Sequence, residues 1–368
     1  MIAILPLPPN YVRCTCRWAV EVPSVSRMEH EQVRIHTGRR SGLPVIIAVH
    51  STTLGQAIGG CRLKAFPHWK DALDDALRLS AAMTDKAALA GLPHGGGKTV
   101  IASDGPLSGE RRRAALLDVG DAVEGLGGVY GTGPDSGTSP ADMNVIAERT
   151  RHVFCRPPEN GGSGDSSPAT AVGALAAIRA VAADLGRELD GLRCTLLGAG
   201  AVGTPLARLL TEAGATLSIT DVDDRKKALA DELGAGWLTP EEAPWAETDV
   251  LVPAALGGLL GPDTVGRLRC AAVAGPANNQ LTDASVADLL HERGILFAPD
   301  VIVSAGGILH GFGVEIHHET PAQIDARLAG IGDTLATVLA RARHAGTTPL
   351  RVAADLARER RLAPVPAG

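Results

Sequence analysis

Two lysines, Lys86 and Lys98, bracket a glycine-rich stretch in MTDKAALAGLPHGGGK, residues 83–98. Three glycines before Lys98 let backbone approach a ligand and leave little bulk around the amine. An amine confined near a second ammonium has its charged form disfavoured, so it can act as a base near neutral pH. Gly97-Lys98-Thr99 resembles the end of a phosphate-binding loop, but the spacing G-x-x-x-x-G-K-[ST] then needs glycine at position 92. That residue is Leu92, and Gly91 stands one position early, which excludes the loop. Spacing alone also leaves open that both lysines are surface charges, since lysine is usually exposed.

A second glycine cluster, GAGAVG at 198–203, follows a strand pattern and opens a helix pattern. Gly198 permits a tight turn, Gly200 lets backbone approach a pyrophosphate, and Gly203 lets helix and strand pack closely. Ala201 and Val202 fall at the helix start, among N–H groups free to meet an anion. Asp221 ends the next strand, 18 residues beyond Gly203. A carboxylate there accepts hydrogen bonds from ribose hydroxyls and repels a 2′-phosphate, which favours NAD over NADP; Arg225 nearby keeps the second open.

The first cluster does not stand alone. TTLGQAIGGCRL at 52–63, the 83–98 segment continuing into TV, TGPDSGTSPADMN at 132–144, GGSGDSSPAT at 161–170 and AGPANNQL at 274–281 occur in this order. Together they resemble the glutamate/leucine/phenylalanine/valine dehydrogenases, most of all the bacterial phenylalanine, valine and leucine enzymes. The matching segments run from about residue 30 to 360. The resemblance implies NAD-dependent, reversible oxidative deamination of an L-amino acid to a 2-oxo acid and ammonia, in a homo-oligomer built through the first domain. It gives Lys98 the activation of the attacking water, Lys86 the substrate carboxylate with backbone near Gly59 and Gly60, and Asp135 the proton exchange with the amino group. Asn279 would orient substrate and nicotinamide, and Thr170 would meet the carboxamide. Arg62, after the Gly-Gly pair, is placed with the cofactor.

Pocket positions in the family match Ile58, Gly133, Ile308 and Gly311. An acidic side chain would find no partner among them, and burying one unpaired is costly. Gly133 and Gly311 are small, which widens the pocket, so an aromatic substrate such as phenylalanine is expected; valine or leucine is the alternative. Two departures from the family stand out. Ser304 replaces a usual Asn near the cofactor, the one feature favouring a cofactor-binding homologue without turnover. Ala254 replaces a common Cys.

The elements that must hold these residues divide the chain. Strand patterns at 32–36 and 44–50 and helix patterns at 71–83 and 111–123 suit an α/β substrate and oligomerisation domain over 28–155. RPPENGGSGDSS at 156–167 reads as a hinge, with Ser167 as N-cap of the next helix. Strands at 193–197, 215–220, 249–252, 271–274 and 295–298 alternate with helices, as in a doubly wound, Rossmann-type NAD-binding domain over 156–325. Helices at 333–344 and from 349 to about 360 form a C-terminal part, 326–368, expected to pack back toward the first domain. Residues 1–27 read as a loose extension.

Composition excludes other classes. The net charge of -6 is spread along the chain and aromatics are only 3%, so neither a basic footprint nor a base-stacking platform for nucleic acid is present. No run reaches about 18 apolar residues, so no membrane span is expected, and the apolar N-terminus lacks the basic region of a signal peptide. The six cysteines show no CxxC and no zinc spacing with histidine, so no metal is expected and reduced cytoplasmic thiols are.

Overall fold

A computed structural model describes residues 28–363 except 256. The extension read over 1–27 lies outside the described residues.

The first unit is a five-stranded sheet of β1 (Gln32–Thr37), β2 (Pro44–Ser51), β3 (Ala57–Ala65), β4 (Gly95–Ser103) and β5 (Tyr130–Pro134), ordered β1-β2-β4-β3-β5. The last three are mutually parallel; β2 runs against β4, and β1 against β2. Alternation along β2 explains the layering. Ile46 and Ala48 face α1 (Trp69–Leu89), while Val45, Ile47 and Val49 face α2 (Gly109–Glu124) and α3 (Pro140–Ala147). His68 caps α1 reciprocally with Asp71, so the helix start is locally encoded.

Residues 153–166 lead to the second unit, which contains α4 (Ser167–Asp184), β6 (Arg193–Leu197), α5 (Gly203–Glu212), β7 (Thr216–Thr220), α6 (Lys227–Leu233), β8 (Gly236–Trp237) and β9 (Thr248–Pro253). It continues through α7 (Pro262–Val265), β10 (Cys270–Val273), α8 (Val286–Glu292), β11 (Leu296–Phe297), α9 (Asp300–Val303) and α10 (Gly306–Glu315). The all-parallel order β11-β10-β9-β6-β7-β8 reverses direction between β6 and β9. This is the Rossmann order, and ligands bind outside the strand ends at such a reversal. Finally α11 (Pro321–Ala345) packs on α4, and α12 (Pro349–Leu362) lies against α1 of the first unit. Arg360 donates to the carbonyl of Ala88 at 3.2 Å and to that of Leu89.

Several elements differ from the sequence expectation. Residues 95–98, read only as a glycine-rich stretch, begin β4, a strand buried along its whole length. β3 was not expected at all, because Gly59 and Gly60 interrupt its β-branched pattern. Helix α11 begins twelve residues before 333. Its Gly330 and Gly332 break the apolar pattern, and a Cβ on Gly332 would stand 2.9 Å from the Ala176 carbonyl of α4, so close helix packing outweighs propensity. The N-cap of α4 is Ser166, one residue earlier than expected, with Ser167 and Pro168 inside the first turn.

Candidate active site

Lys98 sits on β4 and Asp135 follows β5, on either side of β3 in the same sheet. Their side chains meet at 3.0 Å, Nζ to Oδ2. Asp135 is aimed by its own turn: its N–H donates to the Thr138 hydroxyl at 3.0 Å, and that hydroxyl donates to the Cys61 carbonyl at 2.7 Å. A Cβ on Gly60 would lie 2.6 Å from the Asp135 Cβ and 3.3 Å from Lys98 Nζ, so the glycine leaves room for the pair. The same Asp135 Oδ2 accepts from Arg62 Nε at 2.7 Å, and Arg62 also pairs with Asp75 at 2.9 Å. Burial pushes the Asp135 carboxyl up, but Lys98 and Arg62 outweigh it and hold it well below the usual carboxylate range.

Lys86 lies in the last turns of α1 and is buried. Its Nζ donates to Oδ1 of Asn278 in the other unit at 2.8 Å. Burial pulls this amine down to about 8, with the nearby Lys98 ammonium adding to the shift and Asp300 and Asp135 opposing it. The disfavoured charge was expected at Lys98, after the three glycines; the lowered amine is Lys86, and Lys98 Nζ lies against the Asp135 carboxylate. Asp300, at the start of α9, has its carboxyl pushed up by burial and accepts from the Asn279 N–H. Asn279 itself adopts left-handed backbone, with φ 52°.

These groups share one cavity of about 230 Å³ between the two units. Lys86, Lys98 and Asp135 line it, together with the expected Ile58, Gly59, Gly60, Gly133, Ile308 and Gly311. Thr170 and Asn279 line it from the second unit, and Val202 joins it to the turn after β6. Arg62 also lines it, with hydrogen bonds to Asp135 after β5 and to Asp75 on α1, both in the first unit. Gly198, Gly200, Ala201 and Gly203 form the turn beyond, with Asp221 beside it after β7, outside the cavity wall.

That turn fits a dinucleotide. Gly198 has φ 107°. A Cβ on Gly203 would stand 1.9 Å from the Gly198 carbonyl, so only glycine lets α5 start there, two residues later than the pattern suggested. A Cβ on Gly200 would meet nothing within 4 Å, which is the open space a pyrophosphate needs. Asp221 accepts from the Ala199 N–H at 2.7 Å at the end of β7, beside the turn. Arg225 is held by Asp223 through two contacts of 2.8 Å. Ala254, in place of the common Cys, extends the sheet through its N–H to Leu197 at 2.9 Å.

Sequence reasoning missed several lining residues. Asn278 and Asp300 were overlooked beside Asn279, though a doubled Asn and a Pro-Asp helix start were visible. Phe154 and Phe312 also line the cavity, with ring centroids 5.0 Å apart, and His94 stacks on Phe312 at 4.4 Å. Two phenylalanine rings among only 3% aromatics were the available signal. Gly311 differs from expectation: a Cβ there would stand 3.0 Å from the Cys155 sulfur, so its vacant volume is already taken. A Cβ on Gly133 would be no nearer than 3.8 Å to any atom, so that glycine does widen the cavity. Ser304 lines the cavity too, with its hydroxyl 3.3 Å from Asn278 Oδ1.

Fold and site together define an amino-acid dehydrogenase with a Rossmann-type second unit. The chain belongs to the Glu/Leu/Phe/Val dehydrogenase family: its dimerisation-domain model matches residues 25–152, and its second model matches 161–237 and 218–364. Leucine dehydrogenase of Geobacillus stearothermophilus is 38% identical over 337 residues, 91% of each chain. Valine dehydrogenase of Streptomyces coelicolor is 40% identical over 351 residues, 91% of this chain and 92% of that one. Among solved structures, the L-tryptophan dehydrogenase of Nostoc punctiforme superposes with TM-score 0.75 at 33% identity, covering 90% of this chain and 96% of that one. No helix among the described residues is long and apolar enough to cross a membrane.

Proposed function

We propose that the protein oxidatively deaminates a hydrophobic L-amino acid, aromatic ones preferred, to the 2-oxo acid and ammonia, reversibly and with NAD. The observation that carries this reading is the Lys98–Asp135 pair at 3.0 Å in one cavity with Lys86 and the apolar walls. A nicotinamide dinucleotide held by Gly198–Gly203, Asp221, Thr170 and Asn279 supplies the hydride acceptor. Lys86 anchors the substrate carboxylate, aided by backbone at Gly59 and Gly60. Hydride leaves Cα, and the resulting iminium is attacked by a water that Lys98 activates. Asp135, ionised in the resting site, takes the proton from the amino group and returns it as ammonia departs.

Asp221 beside the turn, with Arg225 tied to Asp223, supports NAD over NADP. Phe154, Phe312 and the space at Gly133 support an aromatic side chain, since aromatic pairs gain beyond their buried area. Cys155 in the room beside Gly311 is the observation that favours the second reading, valine or leucine, and the names of the relatives point the same way. The family's dimerisation segment supports a homo-oligomer, and the unpaired Cys61, Cys155, Cys194 and Cys270 support a cytoplasmic setting.

The test is reduction of NAD and of NADP, followed at the nicotinamide band, across a panel of L-amino acids. The expected order is phenylalanine above leucine and valine, with glutamate far below. Glutamate turned over as well as phenylalanine would defeat the pocket argument. NADH binding without turnover of any amino acid would favour a non-catalytic homologue and point to Ser304.

A further inference from the structure

Cys155 is one of three described non-glycine residues with left-handed backbone, at φ 57°. A side chain in that region carries steric strain that glycine avoids, and such strain persists only where surrounding structure holds it. Here the holding group is visible. One oxygen of Glu315, Oε1, accepts from the Cys155 N–H at 2.7 Å, the Ser163 N–H at 2.7 Å and the Ser163 hydroxyl at 2.6 Å. Glu315 and Gly311 lie four residues apart on α10, on one helix face. The carboxylate thus sets the distance between that face and the linking segment, and next to Cys155 the Phe154 N–H ties the segment to the Thr132 carbonyl at 2.8 Å. Within this frame the Cys155 sulfur lies 3.0 Å from where a Gly311 Cβ would stand, and both residues line the cavity.

We propose that Cys155 is a specificity-determining residue of the substrate side-chain pocket, filling the room that Gly311 leaves, with Glu315 as the residue that positions it. The pocket's width is then divided between two units: Gly133 opens it from the first sheet, and the thiol closes it from the link. Cys155 acts as volume, not as a nucleophile; burial pushes its thiol up to about 11. The proposal rests on the cavity holding an amino-acid side chain, whichever side chain is preferred.

The experiment measures kcat/KM for L-valine, L-leucine, L-phenylalanine and L-tryptophan, with melting temperature and NADH affinity as controls. Cys155→Gly removes the thiol and relieves the backbone, so it keeps the wild-type melting temperature. It raises the tryptophan-to-valine ratio by about tenfold, the scale of one or two methylenes in an apolar pocket. Cys155→Ser, of nearly the same volume, keeps the wild-type ratio. Glu315→Ala flattens the dependence on side-chain size, and Glu315→Gln, which keeps an accepting oxygen, restores it. An unchanged ratio in Cys155→Gly, an equal shift in Cys155→Ser, or a uniform loss for all four substrates in Glu315→Ala would each overturn the proposal. A wild-type preference for valine would instead sink the aromatic reading, while the ratio change in the variants still decides this one.

Discussion

The two glycine clusters look alike in sequence but differ in what their glycines admit. In β4 the glycines make room for the protein itself. A Cβ on Gly95 would strike the Ser51 carbonyl at 1.8 Å, one on Gly96 the Thr84 amide of α1 at 2.1 Å, and one on Gly97 the Tyr130 ring at 2.6 Å. They bring α1 against the sheet, and with it Lys86 toward Lys98. After β6 the pattern is mixed: Gly198 and Gly203 serve close packing, but Gly200 faces open space. A glycine therefore says that something comes close. Whether that is ligand or neighbouring chain depends on what the fold brings to it.

Substitutions at these two places sharpen the contrast. The largest effect is expected from Lys98→Ala, at the end of the first cluster. Turnover should fall by roughly 10²–10⁴-fold with NADH affinity unchanged, measured by steady-state rates and fluorescence titration; retained turnover would remove Lys98 from the mechanism. Gly96→Ala against Gly200→Ala comes next. The first forces a methyl into helix backbone and should lower stability by about 3 kcal/mol, read as a urea midpoint. The second should leave stability within about 0.5 kcal/mol and weaken NADH binding. Equal stability losses would erase the distinction drawn here.

The smallest effect concerns charge. Because Lys86 is pulled down from its ordinary value to about 8, the unfolded chain binds more protons than the folded one from there to about 10.5. That contribution makes stability rise with pH across this window. Carboxylate binding has the opposite sign, since it needs the ammonium. Inhibition by the 2-oxo acid in the absence of ammonia should weaken as pH rises above about 8. A flat profile to pH 10 would show that Lys86 keeps its proton.

Local patterns carried the Rossmann half well. Residues 193–197 form β6 with the expected bounds, because a short apolar run, a tight glycine turn and an amphipathic helix agree with one another. Lys86, Lys98 and Asp135 were legible through residue type and motif order. What stayed hidden depends on contacts between distant segments. The strand at Ala57–Ala65 exists because β4 and β5 flank it on both sides, not because its residues favour extension. Likewise Gly311 reads as vacant volume until the backbone of residue 155 swings a sulfur into it, and no periodicity encodes that.

The grip of Arg360 on the end of α1 has a consequence for how the molecule is made. The helix that carries Lys86 is synthesised early, yet its last carbonyls are bound by a guanidinium that follows some 270 residues later. During translation the packing of α1 is therefore completed only when α12 emerges, and the same helix also closes onto α11 and β11 of the second unit. A protease that trims α12 should therefore weaken both NADH retention and the enzyme's hold on its amino acid.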